Sequence, residues 1–183
     1  MRRVFRVLFW FAAFFAATPI AAFFAYDLAV FQPRAAEIHS ILSSAAPAEQ
    51  APPQVLVEVV LASRVNVTAH SARLLASKLN AVPPRSARLF RHLSSAAWSA
   101  CVALHLSKGE QLAVFLALSY MGNSTTGFAA SAISLFGSPL EAVSQEQAAK
   151  LVVISQAPSG YLASPERLAN RTASLLEASR RGP

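Results

Sequence analysis

The sequence predicts a mainly α-helical protein with one N-terminal transmembrane helix. Three observations carry that reading. Residues 7–26 (VLFWFAAFFAATPIAAFFAY) hold no charged side chain. No later stretch alternates apolar and polar residues for long, so strands are not expected. Helix-start signals recur in the second half, each followed by apolar residues three and four positions apart. The chain has 183 residues, 54% hydrophobic and 14% charged, with a net charge of +7. That is more apolar than most soluble proteins, and the length suits one span and one domain.

A helix of about 20 residues matches a hydrocarbon core of about 30 Å, so 7–26 is long enough to cross a bilayer. Arg2, Arg3 and Arg6 precede it and only Asp27 follows closely, which keeps the N-terminus cytoplasmic and exports the rest. A cleaved signal peptide is the competing reading, but its apolar region is typically about 7–15 residues, shorter than this run. Pro19 falls inside the span, where membrane helices tolerate it. The expected organisation is a basic cytoplasmic tail over 1–6, an anchor over 7–26, a Pro-, Ala- and Ser-rich linker over 27–53, and a folded domain over 54–179.

Within the domain, Gln54 to Ser63 is an apolar run read as helix, and His70 to Leu79 is a second helix, broken by Pro83-Pro84. Arg85 to Leu106 is a long helix whose Phe90, Leu93, Ala97, Ala100, Cys101 and Leu104 share one face, expected to be the core face. Ser107-Lys-Gly-Glu110 and Ser144-Gln-Glu-Gln147 have capping-box form, in which the Ser side chain accepts from the amide three residues on and that residue's side chain returns the bond. The first of these helices is expected to run to Gly122 and the second to end before Pro158. Ser164-Pro165 then opens a last helix, with a capping Ser before a Pro in the first helical position.

The chemistry the composition allows is narrow. Cys101 is the only cysteine, and no Cys/His cluster has metal-ligand spacing, so neither an internal disulfide, a metal nor a cofactor is expected. Between Glu58 and Glu110 there is no acidic residue, but there are Arg64, Arg73, Lys78, Arg85, Arg88, Arg91 and Lys108. Such a stretch favours anionic partners, and on an exported domain those are lipid headgroups or a pyrophosphate rather than nucleic acid. His70 and His105 have no acidic residue placed beside them by the sequence, so neither reads as a proton shuttle. Asn66-Val-Thr68, Asn123-Ser-Thr125 and Asn170-Arg-Thr172 match glycosylation acceptors only at the level of chance.

From about Arg91 to Arg171 the order of motifs resembles the C-terminal half of glycosyltransferase family 51, the peptidoglycan glycosyltransferase module of penicillin-binding proteins and monofunctional transglycosylases. Arg91-His92 stands where that family has an Arg-Lys pair, and Leu106-Ser-Lys-Gly-Glu-Gln-Leu112 follows at the matching distance. Phe115-Leu-Ala-Leu-Ser-Tyr-Met-Gly122, Gly127-Phe-Ala-Ala-Ser-Ala132, Phe136-Gly-Ser-Pro139 and Glu146-Gln-Ala-Ala149 come next. Gln156-Ala-Pro-Ser159 and Ser164-Pro-Glu-Arg167 with Arg171 close the series. The resemblance implies a lysozyme-like helical domain at the outer face of a bacterial cytoplasmic membrane, polymerising lipid II. It also implies a glutamate general base and cations on the departing pyrophosphate.

Against that pattern the carboxylates are missing. Arg64 falls where the family has its base, and Ser95 and Ala103 fall where two further glutamates of the long helix would be. No catalytic residue is therefore assigned. Arg85, Arg88, Arg91 and Lys108 are the candidates for binding a pyrophosphate or another anion. The expected function is a membrane-anchored transglycosylase-like protein of cell-wall biogenesis without activity, with membrane lipid, lipid II, glycan strands or a cell-wall synthase as partners. Two alternatives stand beside it: an active enzyme using a non-standard base such as Glu58, and a basic adaptor at the membrane surface.

Overall fold

The helix-start signals lead directly into the architecture. Residues 10, 15, 17–81 and 88–181 are described here from a computed structural model of the chain, without the side chains of Arg88 and Leu89. The structure is 81% helical, as the sequence predicts. Ser107 opens a helix by accepting from the Glu110 amide at 3.2 Å, while the Glu110 carboxylate accepts from the Ser107 amide at 2.8 Å. Ser144 and Gln147 repeat the arrangement at 3.2 and 2.8 Å. Each pair satisfies two amides that a helix start otherwise leaves open.

In chain order, α1 covers residues 17–26 and continues through a π-helical turn at Asp27–Phe31 and a 3-10 turn at Gln32–Arg34. Then come α2 (Ala35–Ser44), the single turn α3 (Pro47–Gln50), α4 (Gln54–Ala62), α5 (Val67–Lys78), α6 (Arg88–His105) and α7 (Lys108–Leu118). A small hairpin of β1 (Tyr120–Gly122) and β2 (Thr125–Thr126) leads to α8 (Phe128–Phe136), a 3-10 turn at Leu140–Ala142, α9 (Gln145–Gln156), α10 (Pro158–Leu162) and α11 (Pro165–Arg181). The expected tail over 1–6 lies outside the described residues, as do residues 7–9, 11–14 and 16 of the expected span over 7–26, and no helix among the described residues is long and apolar enough to cross a membrane.

Two apolar clusters share α7 as a common wall. One surrounds α9, where Leu151, Val152, Val153 and Ile154 are buried with Leu56 and Val59 of α4, Phe115 and Leu116 of α7, Phe128 of α8 and Leu175 of α11. The other joins Leu75 of α5, Trp98, Cys101 and Val102 of α6, Val114 of α7, Ile38 of α2 and Phe31. Consecutive residues Val114 and Phe115 thus face different clusters, which a helix buried on two sides allows.

Four features differ from the sequence reading. The stretch 27–53, read as a linker, carries several helical turns and is packed on the domain: Asp27, Phe31, Ile38, Ala48 and Glu49 are buried. The core face of α6 is rotated, with Ser94, Trp98, Cys101 and Val102 buried and Phe90, Leu93 and Leu104 facing outward. Both stripes have helical spacing, so periodicity alone does not choose between them. The helix from Ser107 ends at Leu118, and Gly122 instead sits in the hairpin at φ 87°, in the region glycine favours. The hairpin itself is too short to leave an alternating pattern.

A buried carboxylate ties the α3 turn to the far half of the domain. Glu49 is 5% exposed, and its carboxylate accepts from the Ala129 amide at 2.9 Å and from the Ala46 amide at 3.2 Å. Ala129 lies in the first turn of α8, where a negative charge is favoured by the helix dipole and satisfies an open amide.

Candidate functional site

Arg64, at the position the family resemblance gives to the base, ends α4 in a left-handed conformation at φ 55° and is exposed. The backbone there must turn from α4 into α5, which Asn66 caps by accepting from the Ala69 amide at 3.0 Å. Between these helix ends and the start of α7 lies a cleft of about 530 Å³. Its walls are apolar, from Val57, Val60 and Leu61 of α4 and Leu112 of α7, and its rim carries Asn66, Thr68 and Lys108.

The polar rim is built on one buried glutamine. Gln111 is buried, and its side-chain amide donates to the Leu106 carbonyl at 2.7 Å, closing a carbonyl at the end of α6. Its Oε1 accepts from Thr68 Oγ1 at 2.6 Å and from Lys108 Nζ at 3.4 Å, and Lys108 Nζ also lies 3.3 Å from Thr68 Oγ1. Ser71 Oγ donates to the Gln111 carbonyl at 2.6 Å. The network joins α5, α6 and α7 and holds the lysine at the cleft mouth. An ammonium has three donors, and Lys108 is exposed, so it can meet an anion from solvent.

No carboxylate lines this cleft. All nine acidic residues of the chain fall in the described part. Glu58 is exposed on α4, accepts from Gln54 Nε2 at 3.2 Å and is not among the lining residues. Glu110 borders a separate groove with His39, Leu42 and Gln50, and the hydrogen bonds from the Ser107 hydroxyl and amide hold it below the usual carboxylate range. A carboxylate stabilised in its charged form is a poor proton acceptor. Glu146 is exposed and held low by Lys150, 2.8 Å away. Glu49 and Asp27 are buried in structural contacts.

Of the four anion-binding candidates, Arg91 and Lys108 are described with their side chains. Arg85 and the Arg88 side chain lie outside the described residues. Arg91 is exposed near the start of α6 and Lys108 stands beyond its end. At about 1.5 Å per residue, the helix from Arg91 to His105 spans about 21 Å. Lys108 is the candidate that lines a cleft.

Neither histidine stands free. His70 packs edge-on against Phe115, receives a hydrogen bond from Arg73 at 3.2 Å, and has its pKa lowered by burial and then by Arg73. His105 has an acidic partner after all: its Nε2 lies 2.8 Å from Asp27 Oδ1, and its ring stacks on Phe31. Sequence reasoning missed that partner because Asp27 sits at the end of an apolar run, far from α6 in the chain.

A family model described as Transglycosylase matches residues 68–180, from the first turn of α5 through nearly all of α11. The match covers well over half of the chain and extends past both ends of the stretch whose motifs are legible by eye. No curated protein is significantly similar to the chain.

Proposed function

We propose, from the premise that this chain belongs to the Transglycosylase family, that it is a membrane-anchored peptidoglycan glycosyltransferase-like protein that binds a lipid-linked sugar without polymerising it. The single observation that carries the loss of catalysis is the cleft beside Arg64. It has a cation and apolar walls but no carboxylate. Glycosyl transfer to a sugar hydroxyl needs a group that accepts its proton, and losing a general base typically lowers the rate by about 10²–10⁴. The family match also begins after Arg64, so the segment holding the base position lies outside it.

Retained binding is supported by the same cleft. Lys108 is held by Thr68 and Gln111 beside apolar walls, a combination suited to an anion attached to a hydrocarbon chain. The uncharged run over 7–26 supports placing that cleft at a membrane face.

Purified full-length protein incubated with fluorescent lipid II tests both halves. The expected result is saturable binding that weakens several-fold in Lys108→Ala, with no glycan strands formed. Processive strands at ordinary enzyme concentrations exclude the loss of catalysis, and an absence of binding excludes the binding role. Arg64→Glu is expected to leave polymerisation absent, because the surrounding acidic residues of the long helix are also replaced, by Ser95 and Ala103.

A further inference from the structure

α10 and α11 frame a pocket that shares no residue with the cleft at Lys108. Its volume is about 320 Å³, and it is lined by Tyr161 of α10 and by Arg167, Asn170, Arg171 and Ser174 of α11. That is the small end of the range of about 300–1,000 Å³ for ligand pockets. The four α11 residues are spaced three, four and seven positions from Arg167, so one face of the helix supplies them all. A different face of α11 does the packing, with Leu168, Leu175 and Leu176 against the cluster around α9.

The opposing wall is held in place. Leu162 lies over Gly122 of the hairpin so closely that an added Cβ there would collide with Leu162 Cδ1, which seats α10 on β1. Tyr161 is half-buried and packs against the α9 cluster, so its ring is supported from behind.

The charge of the pocket is unopposed. Arg167 and Arg171 are exposed and one turn apart, an unfavourable spacing for like charges. The ion pairs among the described residues are His105–Asp27, Lys150–Glu146 and Arg181–Glu177, so no carboxylate neutralises either arginine. Glu166 and Glu177 belong to the same helix but do not line the pocket. One helix thus pairs Arg181 with an acid four residues away and leaves the two arginines at the pocket without one.

Each guanidinium is a planar fork of donors that matches a carboxylate. Ser174 Oγ donates to the Asn170 carbonyl at 3.0 Å, which leaves its lone pairs to accept from a hydroxyl, and the Asn170 amide can both donate and accept. Tyr161 adds a ring with an apolar face and a polar tip. A carboxylate, hydroxyls and a flat apolar face occur together in an acidic sugar, whereas a bare inorganic anion would use the arginines alone.

We propose that the pocket between α10 and α11 binds an acidic saccharide, with its carboxylate on Arg167 and Arg171, its hydroxyls on Asn170 and Ser174, and its ring against Tyr161. The site is additional to the cleft at Lys108 and does not depend on what that cleft binds.

The test uses the full chain in a polyoxyethylene detergent, with methyl β-glucuronide and methyl β-glucoside as probes that differ in the carboxylate. Saturation-transfer NMR titrations read the dissociation constants, and inorganic phosphate is titrated as a competitor. Arg167→Gln and Arg171→Gln are exposed changes, and Arg181→Gln removes the same charge from α11 outside the pocket. The expected result is saturable glucuronide binding that weakens about tenfold in either pocket variant, the scale of one charge-assisted hydrogen bond, and is unchanged in Arg181→Gln. The glucoside is expected to bind at least about tenfold more weakly. No saturable binding overturns the proposal, as does glucuronide binding that ignores both pocket substitutions. Equal affinity for the two sugars removes the role of the arginines and overturns it too. Phosphate binding as tightly as the glucuronide marks a plain anion site and overturns the assignment to a saccharide.

Discussion

Asp27 and His105 hold the N-terminal helix to the domain through a contact of 2.8 Å between Oδ1 and Nε2, on the far side of which Gln32 Nε2 lies 3.4 Å from Asp27 Oδ2. Because the carboxylate is buried, its partner matters more than at an exposed pair, where the median contribution is about 0–1 kcal/mol. His105→Ala is expected to lower stability by about 1–3 kcal/mol by leaving a buried acceptor poorly satisfied. A double-mutant cycle with Asp27→Ala, read by denaturant unfolding of the full chain in mild detergent, isolates the pair; additive effects would show that the contact contributes nothing.

The Glu49 cap gives a second expectation. Glu49→Ala removes the acceptor for the Ala129 amide and is expected to cost about 0.5–2 kcal/mol, the range of other helix N-cap losses. Gly127→Ala is expected to be worse. Its φ is 90°, and an added Cβ would stand 2.9 Å from Glu49 Oε1 and 3.2 Å from the Ala117 carbonyl. Thermal unfolding of the two variants should rank them in that order.

How much of this was legible in the sequence depended on whether a feature was local. The capping boxes at Ser107 and Ser144 and the Pro165 helix start are short-range chemistry, and the structure places all three where the residues predict. Glu49 was invisible because the helix it caps lies 80 residues away. The Lys108–Thr68–Gln111 rim likewise depends on α5 and α7 meeting across 40 residues or more. Lys108 itself was identifiable from its motif, whereas its supporting shell was not. The α6 face was misjudged for a different reason: on an Ala-rich helix, two adjacent stripes are apolar enough to be core, and only the docking of Phe31 and α5 decides between them.

Cys101 should be inert in the folded chain. Burial, followed by the nearby Asp27 carboxylate, pushes its thiol from 9.0 up to about 12, and the thiolate is the reactive form. Intact-mass measurement after iodoacetamide treatment at pH 8 should show no adduct until denaturant is added. The sign of the linked pH effect follows. Above about pH 9 the unfolded chain loses this proton while the folded chain keeps it, so this group lowers stability progressively as pH rises from there toward about 12. Cys101→Ala should remove that part of the alkaline slope.

Thr172 offers a route to a more stable protein. Its side chain is buried on α11 and its hydroxyl has no hydrogen-bond partner among the described residues. Thr172→Val keeps the shape and removes the unsatisfied oxygen, with an expected gain of about 1 kcal/mol. A shift of the unfolding midpoint to higher denaturant at unchanged slope is the confirming measurement; a shift to lower denaturant would mean that the hydroxyl has a favourable partner.

The passage from α1 through the π-helical turn at Asp27–Phe31 and the 3-10 turn at Gln32–Arg34 changes the pitch of the backbone twice before α2 begins. A uniform helix transmits tension along one continuous ladder of parallel hydrogen bonds. Here the ladder is re-registered, with the Gln32 amide reaching back to Asp27 and the Ala35 amide to Gln32. What fixes the direction of the first helix against α6 is the set of side-chain contacts made by Asp27, His105 and the stacked Phe31. The joint between the first helix and α6 is thus held by side chains across an interrupted backbone ladder.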